Sequence, residues 1–185
     1  MQGKTLGVIG FGKIGKLVAE RARAFGMNII AFDPVLTAEQ AAAEGARAVS
    51  LAELFASSDF ITVHLPKNKE TTNLINADTL ATCKPGVRIV NVARGGIVNE
   101  ADLAAAITAG HVAGAAIDVF ASEPCTDSPL FALPEVVVTP HLGASTAEAQ
   151  DKAGVQIAEQ IVLALAGDQV PCAVNAQEGS VPRPR

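Results

Sequence analysis

The chain has no tryptophan, no tyrosine and only seven phenylalanines among its 185 residues. The aromatic platforms on which single-stranded nucleic acids stack are therefore nearly missing. Positive charge is also scarce: 14 Lys and Arg stand against 19 Asp and Glu, a formal net charge of −5. Binding to a phosphate backbone needs clustered cations, so no nucleic-acid partner is expected. No apolar run reaches the roughly 18 residues of a membrane span. The start, Met1-Gln2-Gly3-Lys4-Thr5, lacks the apolar stretch of a secretion signal. A cytoplasmic protein without membrane contact is the expectation. Cysteine is limited to Cys83, Cys125 and Cys172. Their number is odd and none stand at metal-ligand spacing, so reduced thiols and no metal are expected.

What is present is a globular composition, with 49% hydrophobic and 18% charged residues. The length fits one domain, expected over residues 1–175, with 176–185 as a flexible tail. Short apolar runs lie at Thr5–Gly10, Asn28–Phe32, Phe60–Leu65, Val87–Val92, Gly114–Val119 and Val136–Thr139. Near-continuous runs of this kind suit parallel strands buried on both faces. Helical patterns separate them. Ile14, Leu17, Val18, Ala22 and Phe25 predict one apolar helix face, and Ala153, Ile157, Ile161 and Leu165 a second, longer helix. Thr37 with Gln40, Ser50 with Glu53 and Ser145 with Glu148 read as capping boxes. Gly26, Gly45, Gly110 and Gly167 read as helix stops. Strand–helix alternation predicts a doubly wound parallel sheet in a three-layer α/β/α arrangement.

The first strand runs into Gly10-Phe11-Gly12-Lys13-Ile14-Gly15. The first glycine permits a tight turn, the second a close backbone approach to a pyrophosphate, and the third tight helix–strand packing. The following helix aims free N–H groups and its positive end at the phosphates. Asp33 ends the second strand, eighteen positions after Gly15. A carboxylate there accepts from the adenosine ribose hydroxyls and repels a 2′-phosphate, so NAD is expected rather than NADP.

Three later segments end strands, where open α/β sheets bind ligands. In Asn91-Val92-Ala93-Arg94-Gly95-Gly96, Arg94 presents a permanently charged fork suited to a substrate carboxylate. Asp118-Val119-Phe120-Ala121-Ser122-Glu123-Pro124 supplies acids. Thr139-Pro140-His141-Leu142-Gly143-Ala144-Ser145-Thr146 supplies an imidazole. A lone histidine is more often structural, as His111 is read. An Arg, an acid and a His converging on a dinucleotide fold point instead to hydride transfer between alcohol and ketone. That chemistry needs a proton acceptor near neutral pH.

These motifs together resemble the D-2-hydroxyacid dehydrogenase family, over about residues 3–175. Glu123-Pro124-Cys125-Thr126-Asp127-Ser128-Pro129-Leu130-Phe131 and the His141–Thr146 segment are most similar to its phosphoglycerate dehydrogenase branch, actinobacterial above all. The resemblance implies a Rossmann-type fold and NAD-dependent oxidation of 3-phospho-D-glycerate to 3-phosphooxypyruvate, the entry to serine biosynthesis. It implies Arg94 on the substrate carboxylate, His141 as general acid/base and Glu123 as its partner. Cofactor contacts would come from Gly10, Gly12, Lys13, Ile14, Gly15, Asp33, Leu65, Val92, Ala93, Arg94, Asp118, His141, Gly143 and Ala144. It also implies a homodimer. The first strand begins almost at Met1, so the family's substrate-binding lid is expected to be absent and turnover impaired. Two other readings stay open. One is a related enzyme for hydroxypyruvate, glyoxylate or D-lactate; the other is an NAD-sensing, corepressor-like binding module.

Overall fold

The computed structural model describes residues 1–174. The chain runs through β1 (Thr5–Ile9), α1 (Lys13–Ala24), β2 (Asn28–Phe32), α2 (Ala38–Ala43), β3 (Arg47–Ala48), α3 (Leu51–Ser57) and β4 (Phe60–Val63). It continues through α4 (Ala77–Ala81), β5 (Val87–Asn91), α5 (Glu100–Thr108), β6 (Val112–Ile117), a 3-10 turn at Pro129–Ala132, β7 (Val136–Val138) and α6 (Ala147–Ala166). The chain divides into two compact units: the first holds residues 1–141 and the second begins at Leu142. The expected tail lies outside the described residues.

In the first unit the strands form one parallel sheet in the order β3-β2-β1-β4-β5-β6-β7. This is the expected doubly wound, Rossmann-type fold. Strand order reverses between β1 and β4, so the chain departs in opposite directions there. A crevice then opens beyond the carboxyl ends of those two strands.

The period-2 alternation of the strands sorts side chains into two cores. Leu6, Val8, Ile29 and Ala31 face α1 and α2. Ile9, Ile30, Ile61, Val63, Val87, Ile89 and Ile117 face the other way, against Leu54, Phe55, Leu80, Leu103 and Ile107 of α3, α4 and α5. Cys83 is buried in the second core, and burial pushes its thiol pKa up to about 11. His111 is structural in geometry: its Nε2 lies 3.0 Å from the Leu80 carbonyl oxygen.

Three local readings need correction. The buried face of α1 is Gly15, Ala19 and Ala22, whereas Ile14, Leu17 and Phe25 are exposed. The helix lies so close to β1 that only small side chains fit beneath it. β3 went unread because two residues carry no period. Thr146, not Ser145, caps α6, its hydroxyl accepting from the Ala149 amide. The other readings of helix ends hold except the capping box at Ser50, where only one of the two bonds forms because Glu53 turns to Arg47. Thr37 and Gln40 make both bonds of a capping box, and Ser50 accepts from the Glu53 amide. Gly26, Gly45, Gly110 and Gly167 all take positive φ.

The second unit is dominated by α6, which spans 20 residues. Val155, Ile157, Ile161, Val162 and Leu165 are all exposed on it. No helix among the described residues is long and apolar enough to cross a membrane.

Candidate active site

The glycine loop follows β1 directly. Gly10 takes φ +94°, and a Cβ added there would meet the His64 carbonyl carbon and oxygen at 2.7 Å. A Cβ on Gly15 would run into the Gly10 carbonyl oxygen, which explains the close seat of α1. Gly12 differs from both: a Cβ there would meet nothing within 4 Å. Protein packing does not demand that glycine, and the space beside the amino end of α1 is open. Gly12 caps α1 without a side-chain bond, and the first turn of α1 holds no acid. The other five α-helices each begin with a side-chain cap and a first-turn acid. The amino end of α1 therefore keeps unfilled N–H groups and an uncompensated positive dipole, the environment a pyrophosphate requires.

Asp33 closes this end of the site. Its Oδ2 accepts from the Phe11 amide at 2.9 Å and its Oδ1 from the Val35 amide at 3.2 Å. The acid thus orders the glycine loop. Lys13 and Ile14 stand exposed in the first turn of α1. These features fit a dinucleotide. The loop and α1 would hold its pyrophosphate and Asp33 its ribose diol.

Ile14, Leu65, Val92, Ala93 and Arg94 come together with His64 and Pro66 around a cleft of about 240 Å³. Asn91 holds the Arg94 loop from below. It is 1% exposed, its Nδ2 donates to the Arg94 carbonyl oxygen, and its Oδ1 accepts from the Ala93 amide. The Arg94 guanidinium bonds the Ala93 carbonyl oxygen at 2.6 Å.

A second cleft of about 360 Å³ is lined by Phe120, Glu123, Pro124, Cys125, Pro140 and His141. His141 Nδ1 lies 2.7 Å from Glu123 Oε2, and Glu123 Oε1 accepts from the Phe120 amide at 2.8 Å. An ionised carboxylate only accepts, so Nδ1 carries the proton. The His141 bond, then the Phe120 amide, hold the Glu123 carboxyl below the usual range, against burial and the like charge of Asp118. His141 itself takes φ +60°, a costly conformation for a non-glycine residue and one that gathers at functional sites. Asp118 is buried at the end of β6 and accepts from the Thr139 hydroxyl.

The expected catalytic residues thus line two clefts, at the ends of the adjacent strands β5, β6 and β7. Arg94 lines one cleft; Glu123 and His141 line the other. Gly143 and Ala144 belong to the second unit, in the segment that precedes α6. Two side chains at the sites were not read from the sequence. His64 faces the Arg94 cleft with Nε2 3.0 Å from Thr62 Oγ1, and burial pushes its pKa down. The signal was its place just after β4. Asn91 was visible only as the polar end of a buried strand.

Residues 1–143 match the family model for the D-isomer specific 2-hydroxyacid dehydrogenase NAD binding domain. The chain belongs to that family. It is 61% identical over 179 residues to D-3-phosphoglycerate dehydrogenase of Mycobacterium bovis, covering 97% of the chain and 34% of that protein. The chain therefore spans about a third of the length of the curated relatives it matches. D-mandelate dehydrogenase of Rhodotorula graminis superposes with a TM-score of 0.88 at 33% identity, covering 100% of the chain and 54% of that one. The NAD-dependent formate dehydrogenase of Staphylococcus aureus, solved with NAD, gives 0.78 at 39% identity, covering 87% and 49%. Family membership makes the glycine loop and Asp33 parts of an NAD-binding domain. The fit of Gly12, α1 and Asp33 to a dinucleotide agrees with it.

Proposed function

We propose that this chain binds NAD and supplies the proton-transfer residues for oxidation of a D-2-hydroxyacid, with 3-phospho-D-glycerate as the substrate. The observation that carries the reading is the 2.7 Å contact between His141 Nδ1 and Glu123 beside the nucleotide cleft. The name shared by the most similar relatives supports the choice of substrate.

Bound NAD supplies a hydride acceptor at its nicotinamide ring. With Nδ1 committed to Glu123, His141 takes the C2 hydroxyl proton on Nε2 while the C2–H bond gives up its hydride. Glu123 stays ionised at neutral pH, because its pKa lies below the usual range, and so stabilises the imidazolium that forms. Arg94 swings from its bond to Ala93 to hold the substrate carboxylate in bidentate fashion. In the reverse direction the imidazolium returns the proton to the ketone oxygen. A homodimer fits the apolar side chains that α1 exposes, Leu17 and Phe25 among them.

His141→Asn tests the reading. Asparagine tolerates the positive φ but has no titrating ring. In a protein extended to the length of the relatives, turnover of 3-phosphoglycerate should fall by at least about a hundredfold. NADH should still bind saturably through the glycine loop and Asp33, with affinity lowered by no more than about tenfold. Near-normal turnover in that variant would remove His141 from the mechanism.

A further inference from the structure

Residues 121–124 of the loop that carries Glu123 have little to hold them by packing, and Cys125 beyond them packs against the core. Ala121, Ser122, Glu123 and Pro124 are all exposed. The His141 cleft of about 360 Å³ lies against one stretch of the loop, and a second cavity of about 400 Å³ opens against Ala121, Ser122, Cys125 and Asp127. Hydrogen bonds must therefore decide the loop's conformation, since few contacts are left to do so.

One side chain makes the decisive pair. Glu100 is the first residue of α5, where an acid ordinarily serves only its own helix end. Its Oε1 instead accepts from the Ala121 amide at 2.8 Å, and its Oε2 from the Ser128 hydroxyl at 2.7 Å. These two anchors bracket the loop. Ser128 is 6% exposed and precedes the buried Leu130, so the far anchor is fixed to the core. The near anchor adjoins the Phe120 amide, which Glu123 itself captures. Two carboxylates thus hold consecutive amides, one from the fixed α5 and one from the loop.

We propose that Glu100 is a positioning residue for the Glu123–His141 pair, clasping both ends of the 121–128 loop so that the Glu123 carboxylate meets the imidazole. This inference rests on the catalytic reading of that pair. Glu100 touches no reacting atom and acts through Glu123.

The test is a carbon-13 NMR titration of the Glu123 carboxyl in this chain. The charged groups bearing on Glu123 are His141 and Asp118, with Glu100 across the loop. Removing Glu100 has opposite consequences under the two explanations. Loss of a neighbouring negative charge alone would push the Glu123 midpoint further down. Loss of the clasp detaches Glu123 from His141 and lets the midpoint rise toward the ordinary glutamate range. Glu100→Ala should therefore shift the midpoint upward. Glu100→Gln should stay near wild type, because its amide can accept from Ala121 and donate to Ser128 Oγ. Ser128→Ala, which cuts only one anchor, should give a smaller upward shift and serves if Glu100→Ala does not fold. An unchanged or lowered midpoint in a folded Glu100→Ala chain overturns the proposal. Failure of the pair itself looks different. The wild-type Glu123 would then titrate in the ordinary range, and His141→Asn would leave its midpoint unmoved.

Discussion

Replacement of Asp33 separates its two duties. Its carboxylate accepts from the amides of Phe11 and Val35, and at the end of β2 it is the acid proposed to accept from the ribose diol. Hydrogen bonds to a charged group contribute about 1.5–3 kcal/mol. Since 1.4 kcal/mol is a factor of ten, losing the ribose bonds should weaken NADH binding about ten- to hundredfold. Asp33→Asn keeps an oxygen for the Phe11 amide but loses the charge. Its amide nitrogen cannot accept from Val35, so it also loses that exposed bond, and folding stability should fall by about 0.5–1.5 kcal/mol. Its preference for NADH over NADPH should narrow, because the repulsion of a 2′-phosphate is gone. Asp33→Ala leaves the amide of Phe11, a residue only 3% exposed, without its acceptor. A further about 1–3 kcal/mol of stability should be lost. Calorimetric titration with NADH and NADPH, paired with urea unfolding, reads both effects. Wild-type NADH affinity in either variant would refute the role of Asp33 in binding. Equal stability of the Asn and Ala variants would refute its role in ordering the glycine loop.

Two further outcomes follow from the geometry. Gly15→Ala places a methyl against the Gly10 carbonyl oxygen, so α1 must move. A stability loss of about 1–3 kcal/mol and loss of saturable NADH binding are expected, and an undisturbed variant would contradict the packing described. Asp59 accepts from the Thr5 amide and from Lys84, and chiefly the Thr5 bond holds its pKa below the usual range. A lowered folded pKa stabilises above the unfolded value and is lost as pH falls through the folded one. The stability gap between wild type and Asp59→Asn should therefore be open at neutral pH and close below about pH 3.9; urea unfolding across that range would show a constant gap if the reading is wrong.

The chemistry of the site was legible where residue type alone constrains it. Glycines at 10, 12 and 15 with Asp33 announce a dinucleotide loop, because each position has a separate steric or charge requirement. Strand positions were legible because burial on both faces forces long apolar runs. Arg94, Glu123 and His141 stood out as polar groups at the ends of such runs. The face of α1 was not legible, since Ile14, Leu17 and Phe25 match a helical period as well as any buried set. Only the close approach imposed by Gly15 turns them outward. β3 escaped because its pairing with β2 is set by a neighbouring strand and not by its own two residues.

The amino-acid sequence by itself determined the fold class and the cofactor loop and singled out Arg94, Glu123 and His141 as candidates for the chemistry, because these depend on local periodicity and on chemical type. Tertiary structure alone decided that Glu123 faces His141 and that Arg94 lines a separate cleft. It also decided that Asp33 and Glu100 hold loops far from them in the chain. Those contacts join residues 18 to 28 positions apart, and Asp33 and Phe11 22 apart. Nothing in a one-dimensional pattern fixes such a meeting; the register of the parallel strands that deliver both partners to the same end of the sheet does.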